Sequence, residues 1–149
     1  MQKLIFSLLL IFLLSSNLIA IENTYFLMLK NNKVNVRHGP SFDYPIKFIY
    51  NKKFLPVEVI DKKENFRRII DHKKNSGWIH ISQLKKSNSI IVLEDKILYK
   101  NSTKFSKPLV MLEKGRLVIV KKCKLKWCKV TSGEYTGWIE KNDLWGKIN

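Results

Sequence analysis

One octet occurs twice in this chain, and the spacing of its copies limits the folds open to it. Gly77-Trp78-Ile79-His80-Ile81-Ser82-Gln83-Leu84 returns as Gly137-Trp138-Ile139-Glu140-Lys141-Asn142-Asp143-Leu144. The offset is 60 residues at Gly (137 − 77), at Trp (138 − 78) and at Leu (144 − 84). A fixed period longer than a helical hairpin implies arrayed units of tertiary structure. Two such units fit in 149 residues, each with a small core.

The first 20 residues stand outside those units. Met1-Gln2-Lys3 carries one positive charge, Leu4 to Leu14 is apolar apart from Ser7, and Ser15 to Ala20 supplies small and polar residues. This is the three-part pattern of a secretory signal peptide over residues 1–20, with cleavage expected after Ala20. Its apolar core is too short for a membrane span of about 20 residues. The mature chain is therefore expected to be exported, periplasmic or envelope-associated, with no transmembrane segment.

The formal charge is +16, from 28 basic and 12 acidic residues. Such an excess attracts nucleic acid, anionic lipid or acidic polymers. Only Arg37, Arg67, Arg68 and Arg116 are arginines, whereas bidentate phosphate and guanine recognition favours Arg. The lysines are spread through turns such as Lys52-Lys53, Lys62-Lys63 and Lys73-Lys74, as on a solvated surface. Nucleic acid is thus the least favoured partner.

From Ile21 onward the pattern is alternation and turns, with no sustained helical period. Lys33 to Arg37 alternates polar and apolar residues like a half-buried strand. His38-Gly39-Pro40-Ser41 stops it, since Gly permits positive φ and Pro lacks an N–H. Further strands are expected at Ile46–Tyr50, Leu55–Ile60, Phe66–Ile70 and Gly77–His80, and a single helical turn at Ser82–Leu84. Five short strands with polar turns describe a small barrel or sandwich. Lys85-Lys86-Ser87-Asn88-Ser89 is the best linker candidate. The second unit repeats the plan at Lys96–Lys100, Leu109–Leu112, Leu117–Val120, Trp127–Val130 and Gly137–Ile139, with the apolar Leu117–Val120 run expected to be the more buried. The tail from Trp145 reads as peripheral.

In order and spacing these elements resemble the bacterial SH3-like (SH3b) domain. In the first unit the resemblance rests on Val34-Asn35-Val36-Arg37, Gly39-Pro40-Ser41, Tyr44-Pro45, Val57 to Ile60, Phe66 to Ile69 and Gly77-Trp78-Ile79. In the second it rests on Gly115, Val118 to Val120, Trp127 to Val130 and Gly137-Trp138-Ile139. The resemblance implies an all-β fold of two tandem small SH3-like β-barrels, over 25–85 and 90–147, and binding rather than catalysis. Tyr99-Lys100-Asn101-Ser102-Thr103 is set against Val36 to Pro40, so the second unit lacks the Gly-Pro turn and reads as degenerate.

Trp78 and Trp138, at one repeated strand position, are assigned to core packing. Phe42, Tyr44 and Tyr50 flank a loop or strand end and are candidates for an aromatic platform of the kind that accepts extended peptides. Arg37 and His38 precede the Gly-Pro turn, where Arg can hold a carboxylate through two hydrogen bonds. His72 and His80 have no acidic or thiol partners at metal-binding spacing and are read as surface residues. Cys123 and Cys128 flank a turn between two strands; an exported chain normally pairs two such cysteines. A Cys–His nucleophile would need a base beside it, and the second unit contains no His.

These residues contain no catalytic set, no metal site and no cofactor motif. The expected function is a non-enzymatic binding module of the bacterial cell envelope that contacts peptidoglycan or an envelope peptide. A scaffold that docks a periplasmic enzyme is the alternative, and a basic polyanion or nucleic-acid binder the third choice.

Overall fold

The computed structural model describes residues 24–147; the signal-peptide reading of residues 1–20 lies outside them. The described chain forms two antiparallel seven-stranded sheets with the same topology. The first contains β1 (Tyr25–Leu29), β2 (Val34–Arg37), β3 (Ile46–Tyr50), β4 (Pro56–Lys63), β5 (Phe66–Ile70), β6 (Ser76–His80) and β7 (Leu84–Lys86). The second contains β8 (Ser89–Val92), β9 (Lys96–Tyr99), β10 (Pro108–Leu112), β11 (Leu117–Lys124), β12 (Trp127–Ser132), β13 (Tyr135–Glu140) and β14 (Leu144–Gly146). Neighbours run β3-β2-β6-β5-β4-β1-β7 and β10-β9-β13-β12-β11-β8-β14. Each sheet curls around its own core as a small SH3-like β-barrel.

The alternation read from the sequence determines which side chains enter these cores. Val34, Val36, Val57, Val59, Ile69 and Ile79 point inward in the first unit, with Leu29, Leu55 and Leu84. Ile90, Val92, Leu98, Leu112, Val118, Cys128, Val130 and Ile139 do so in the second. Of the Leu117–Val120 run only Val118 is buried; its neighbours are half-buried. The Gly of each Gly-Trp pair permits a close approach between strands. A Cβ on Gly77 would meet the Val36 side chain and the Arg37 carbonyl, and one on Gly137 would meet Leu98 and the Tyr99 carbonyl.

The proposed linker is structural. Leu84–Lys86 pairs with β1, and the second sheet begins at Ser89. All four residues of β8 are buried. Because successive side chains of a strand face opposite ways, Ile91 enters the first core while Ile90 and Val92 enter the second. Ser89 stays buried because its hydroxyl donates to the Phe54 carbonyl. The sequence does not show this, since a polar run reads as solvent-exposed unless a buried partner for its hydroxyl is known.

Trp145 likewise departs from its peripheral reading. Its ring meets Phe26 edge-on at 5.3 Å between centroids. Its Nε1 donates to the Pro56 carbonyl at 3.3 Å, and Lys74 Nζ lies 5.3 Å from the ring centroid. The end of the second unit is therefore packed on the first.

Candidate functional site

Arg37 ends β2 and organises the loop that follows. Its Nη1 donates to the carbonyls of Phe42 at 3.2 Å and Tyr44 at 2.7 Å. The His38 amide closes the loop on the Pro45 carbonyl at 3.2 Å. Ser41 Oγ accepts from the Asp43 amide at 3.0 Å, stiffening the tip. Gly39 lies beneath the Tyr44 ring, and any Cβ there would overlap it.

This backbone holds Phe42 with 63% of its surface exposed. Exposure of that size does not leave the ring unsupported. Its centroid lies 5.2 Å from Phe66 and 5.0 Å from His80, which are themselves 5.1 Å apart. Phe66 and His80 meet because β5 and β6 place them opposite each other. His80 Nδ1 accepts from the Ser82 amide at 3.3 Å, which orients the imidazole. The Arg37 guanidinium stands 5.3 Å from the Phe42 centroid. Such ring and cation contacts each contribute about 0.5–1.5 kcal/mol, enough to hold an exposed ring in one orientation.

The sequence-selected residues divide into two groups. Arg37, His38, Phe42 and Tyr44 belong to this loop. Tyr50 lies at the far end of β3, opposite Val34 rather than Arg37. Its hydroxyl donates to Asp71 at 2.9 Å, and burial together with the Asp71 charge holds its pKa far above the ordinary phenol value. Asp71 also accepts from the Lys73 and Asn75 amides, so Tyr50 braces the β5–β6 turn. His80, read as a surface residue, is half-buried in the aromatic cluster. The sequence marks Phe66 only as a strand residue. Neither carries a local signal, because both join Phe42 only through strand register.

Beside the loop, Arg37, His38, Lys47, Arg68, Ser76, Gly77 and Trp78 line a cavity of about 320 Å³. Trp78 stands opposite Arg37 on one side and Arg68 on the other. It is half-buried, whereas Trp138 is only 8% exposed. Among the described residues no three His, Cys, Asp or Glu side chains form a metal cluster. Cys123 and Cys128 are joined as a disulfide across the β11–β12 hairpin.

A family model described as "Bacterial SH3 domain" matches the chain twice, over residues 30–86 and 96–146. The chain belongs to the bacterial SH3 domain family. Each match falls on one of the two sheets, so the bacterial SH3 module is present twice. No curated protein matches the chain. Among solved structures it is similar to NlpC2 and NlpC1 from Trichomonas vaginalis, each at 12% identity with a TM-score of 0.39. These alignments cover 86% of this chain, and 50% and 48% of the two structures respectively. The chain thus spans about half the length of those proteins.

The two bacterial SH3 modules align through their ladders. Tyr99 faces Trp138 as Arg37 faces Trp78, and Lys100 bonds to Lys107 as His38 bonds to Pro45, an offset of 62 (99 − 37, 107 − 45). The second loop is therefore one residue out of step with the alignment expected from sequence: Tyr99 matches Arg37, not Val36. Burial decides it, because the inward positions are Val36 and Leu98. At this register the Gly39 and Pro40 positions carry Asn101 and Ser102, so the second module does lack the Gly-Pro turn.

Among the described residues no helix is long and apolar enough to cross a membrane.

Proposed function

We propose that this protein is a non-enzymatic binding module of the bacterial cell envelope, and that its first SH3 module holds peptidoglycan or an envelope peptide on the Phe42 face. One observation carries this reading. Phe42 is mostly exposed, yet its ring packs edge-on against Phe66 and tilted against His80, and its loop is tied down by Arg37. A preorganised aromatic spends little entropy on binding, which is what a weak, extended peptide-like ligand requires. The +16 charge favours an acidic polymer as the surface on which that ligand is presented. Both thiols are consumed in a disulfide, which supports binding over thiol catalysis.

Co-sedimentation of the purified protein with isolated peptidoglycan, at low and high salt, tests the proposal. Wild type should be retained, and Phe42→Ala should lower retention about tenfold or more, as truncation of an aromatic anchor does. Equal retention of the two proteins would remove the Phe42 face from the reading. No retention of wild type at any salt would remove peptidoglycan as the ligand.

A further inference from the structure

The cavity next to the Phe42 face has a chemistry of its own. Its charged lining consists of Arg37, Lys47 and Arg68, with His38 beside them and no Asp or Glu. Among the described residues none of these cations lies within the 4.0 Å ion-pair distance of a carboxylate. Asp61 stands opposite Arg68 on β4 but outside that distance, and its Oδ1 accepts from the Lys62 amide at 2.7 Å. Lys47 Nζ is held over the site by donating to the Ser76 carbonyl at 2.9 Å. Ser76 Oγ is buried without a hydrogen-bond partner. Unneutralised like charges around one small cavity repel, and a bound anion relieves that repulsion.

Trp78 lies between the two arginines on the ladder, so the lining sets one indole among three cationic side chains. This differs from a polyanion track, where cations run in a line along a groove. A single compact oxyanion fits. Carboxylate is favoured because guanidinium matches it with two parallel hydrogen bonds, and because peptide-like ligands end in one.

We propose that the Trp78 cavity is a carboxylate subsite in which Arg68 and Lys47 hold an acidic group of the ligand, beside the ring contact at Phe42. Arg37 joins the two places: it lines the cavity and also ties the Phe42 carbonyl. The subsite rests on the reading of the first module as a ligand-binding face and extends it to a second contact. In the second module Leu109 and Lys129 occupy the places of Lys47 and Arg68, at offsets of 62 (109 − 47) and 61 (129 − 68). The site therefore belongs to the first module alone.

The test is an NMR titration of the intact mature protein, read at the Trp78 indole N–H and the Gly77 amide, with the Trp138 indole as internal reference. Three probes are used: acetyl-alanyl-alanine as the free acid, the same dipeptide as its C-terminal amide, and inorganic phosphate. The acid should shift the Trp78 and Gly77 signals saturably and leave Trp138 in place; the amide should not. Arg68→Gln and Lys47→Gln should each weaken the response about tenfold, the worth of one charge-assisted hydrogen bond, with Arg68→Lys intermediate. A response equal for acid and amide, or none to the acid, overturns the proposal. A response to phosphate that matches or exceeds that to the acid overturns the carboxylate assignment. Peptidoglycan retention is scored in parallel. Retention without a Trp78 response keeps the Phe42 reading and removes the subsite. A Trp78 response without retention does the reverse.

Discussion

The loop from Arg37 to Tyr44 and the loop from Tyr99 to Ser106 hang from the same backbone frame and carry opposite chemistry. Phe42 is replaced by Lys104 (104 − 42 = 62), Phe66 by Trp127 and His80 by Glu140, the last two again cross-strand partners. Where the first module packs three rings together, mostly edge-on, the second makes a Lys104–Glu140 ion pair at 3.3 Å. Where Arg37 ties two carbonyls, the second loop uses small hydroxyls: Ser106 Oγ accepts from the Asn101 amide at 2.9 Å and Thr103 Oγ1 from the Phe105 amide at 3.3 Å. Phe105 projects fully exposed one position further on. The frame is thus indifferent to what its loop carries, and the binding chemistry is a property of the loop and two strand ends.

The two modules hold each other in place, and the largest effect should come from breaking that contact. Ile91 leaves the second sheet to enter the first core and is fully buried. Ile91→Ala should destabilise by about 2–5 kcal/mol, the range for deleting a buried aliphatic side chain. Loss should appear in both modules at once when denaturant unfolding is followed by amide signals from each. Independent melting of the second module alone would show that Ile91 does not couple them.

A smaller effect separates the modules covalently. Only the second contains the Cys123–Cys128 disulfide. It closes a short loop, so its reduction should cost less than the roughly 3 kcal/mol expected for a 15-residue loop. The cost should fall on β11 and β12, leaving the Phe42 face intact, and hydrogen exchange before and after reduction measures it. Equal loosening of β5 and β6 would contradict that division.

The chemical difference itself can be transplanted. Phe42→Lys with His80→Glu gives the first loop the ion pair of the second. That pair would be exposed and worth at most about 1 kcal/mol, less than the ring and Arg37 contacts it replaces, so stability should fall by about 1–3 kcal/mol while peptidoglycan retention falls about tenfold. Phe105→Ala, on the other module, should leave retention unchanged. Loss of retention with Phe105→Ala would move the binding face to the second loop.

How much of this was legible in the residues follows from the range of each signal. The duplication was, because Gly77 and Gly137 are needed for the same strand approach and each is followed by Trp. The Val34–Arg37 strand was, because alternation is a local pattern. β1 was not, since Tyr-Phe-Leu-Met-Leu has no alternation to read. Arg37, Phe42 and Tyr44 could be grouped because they lie within one loop. Phe66, His80, Lys47 and Arg68 could not, because they lie on β3, β5 and β6 and reach the loop only through pairing between strands: β5 and β6 set Phe66 against His80 and Arg68 against Trp78, and Lys47 is the extra residue where the β2–β3 register shifts between Val36 and Arg37. One extra residue in a strand reverses the facing of every side chain beyond it.

The smallest expected effect uses pH to address one module alone, since His38, His72 and His80 all lie in the first. His72 is half-buried with a buried, unpartnered Nδ1. Burial lowers its pKa below the ordinary value of 6.5, against the pull of Asp71, and the charges of Lys73 and Lys52 act with burial. The unfolded chain therefore takes up this proton at a higher pH than the folded one. As pH falls through 6.5 toward the lowered value, the unfolded state gains protons that the folded state refuses, and stability declines; above 6.5 both forms are neutral and the contribution is level. The group is only partly buried and solvent screens the rest, so the slope should be shallow. Urea midpoints taken either side of that window should fall with acid at β5 and β6, and His72→Gln should flatten the fall. A decline that persists undiminished in His72→Gln would assign it to another group and leave His72 without a part in the pH response.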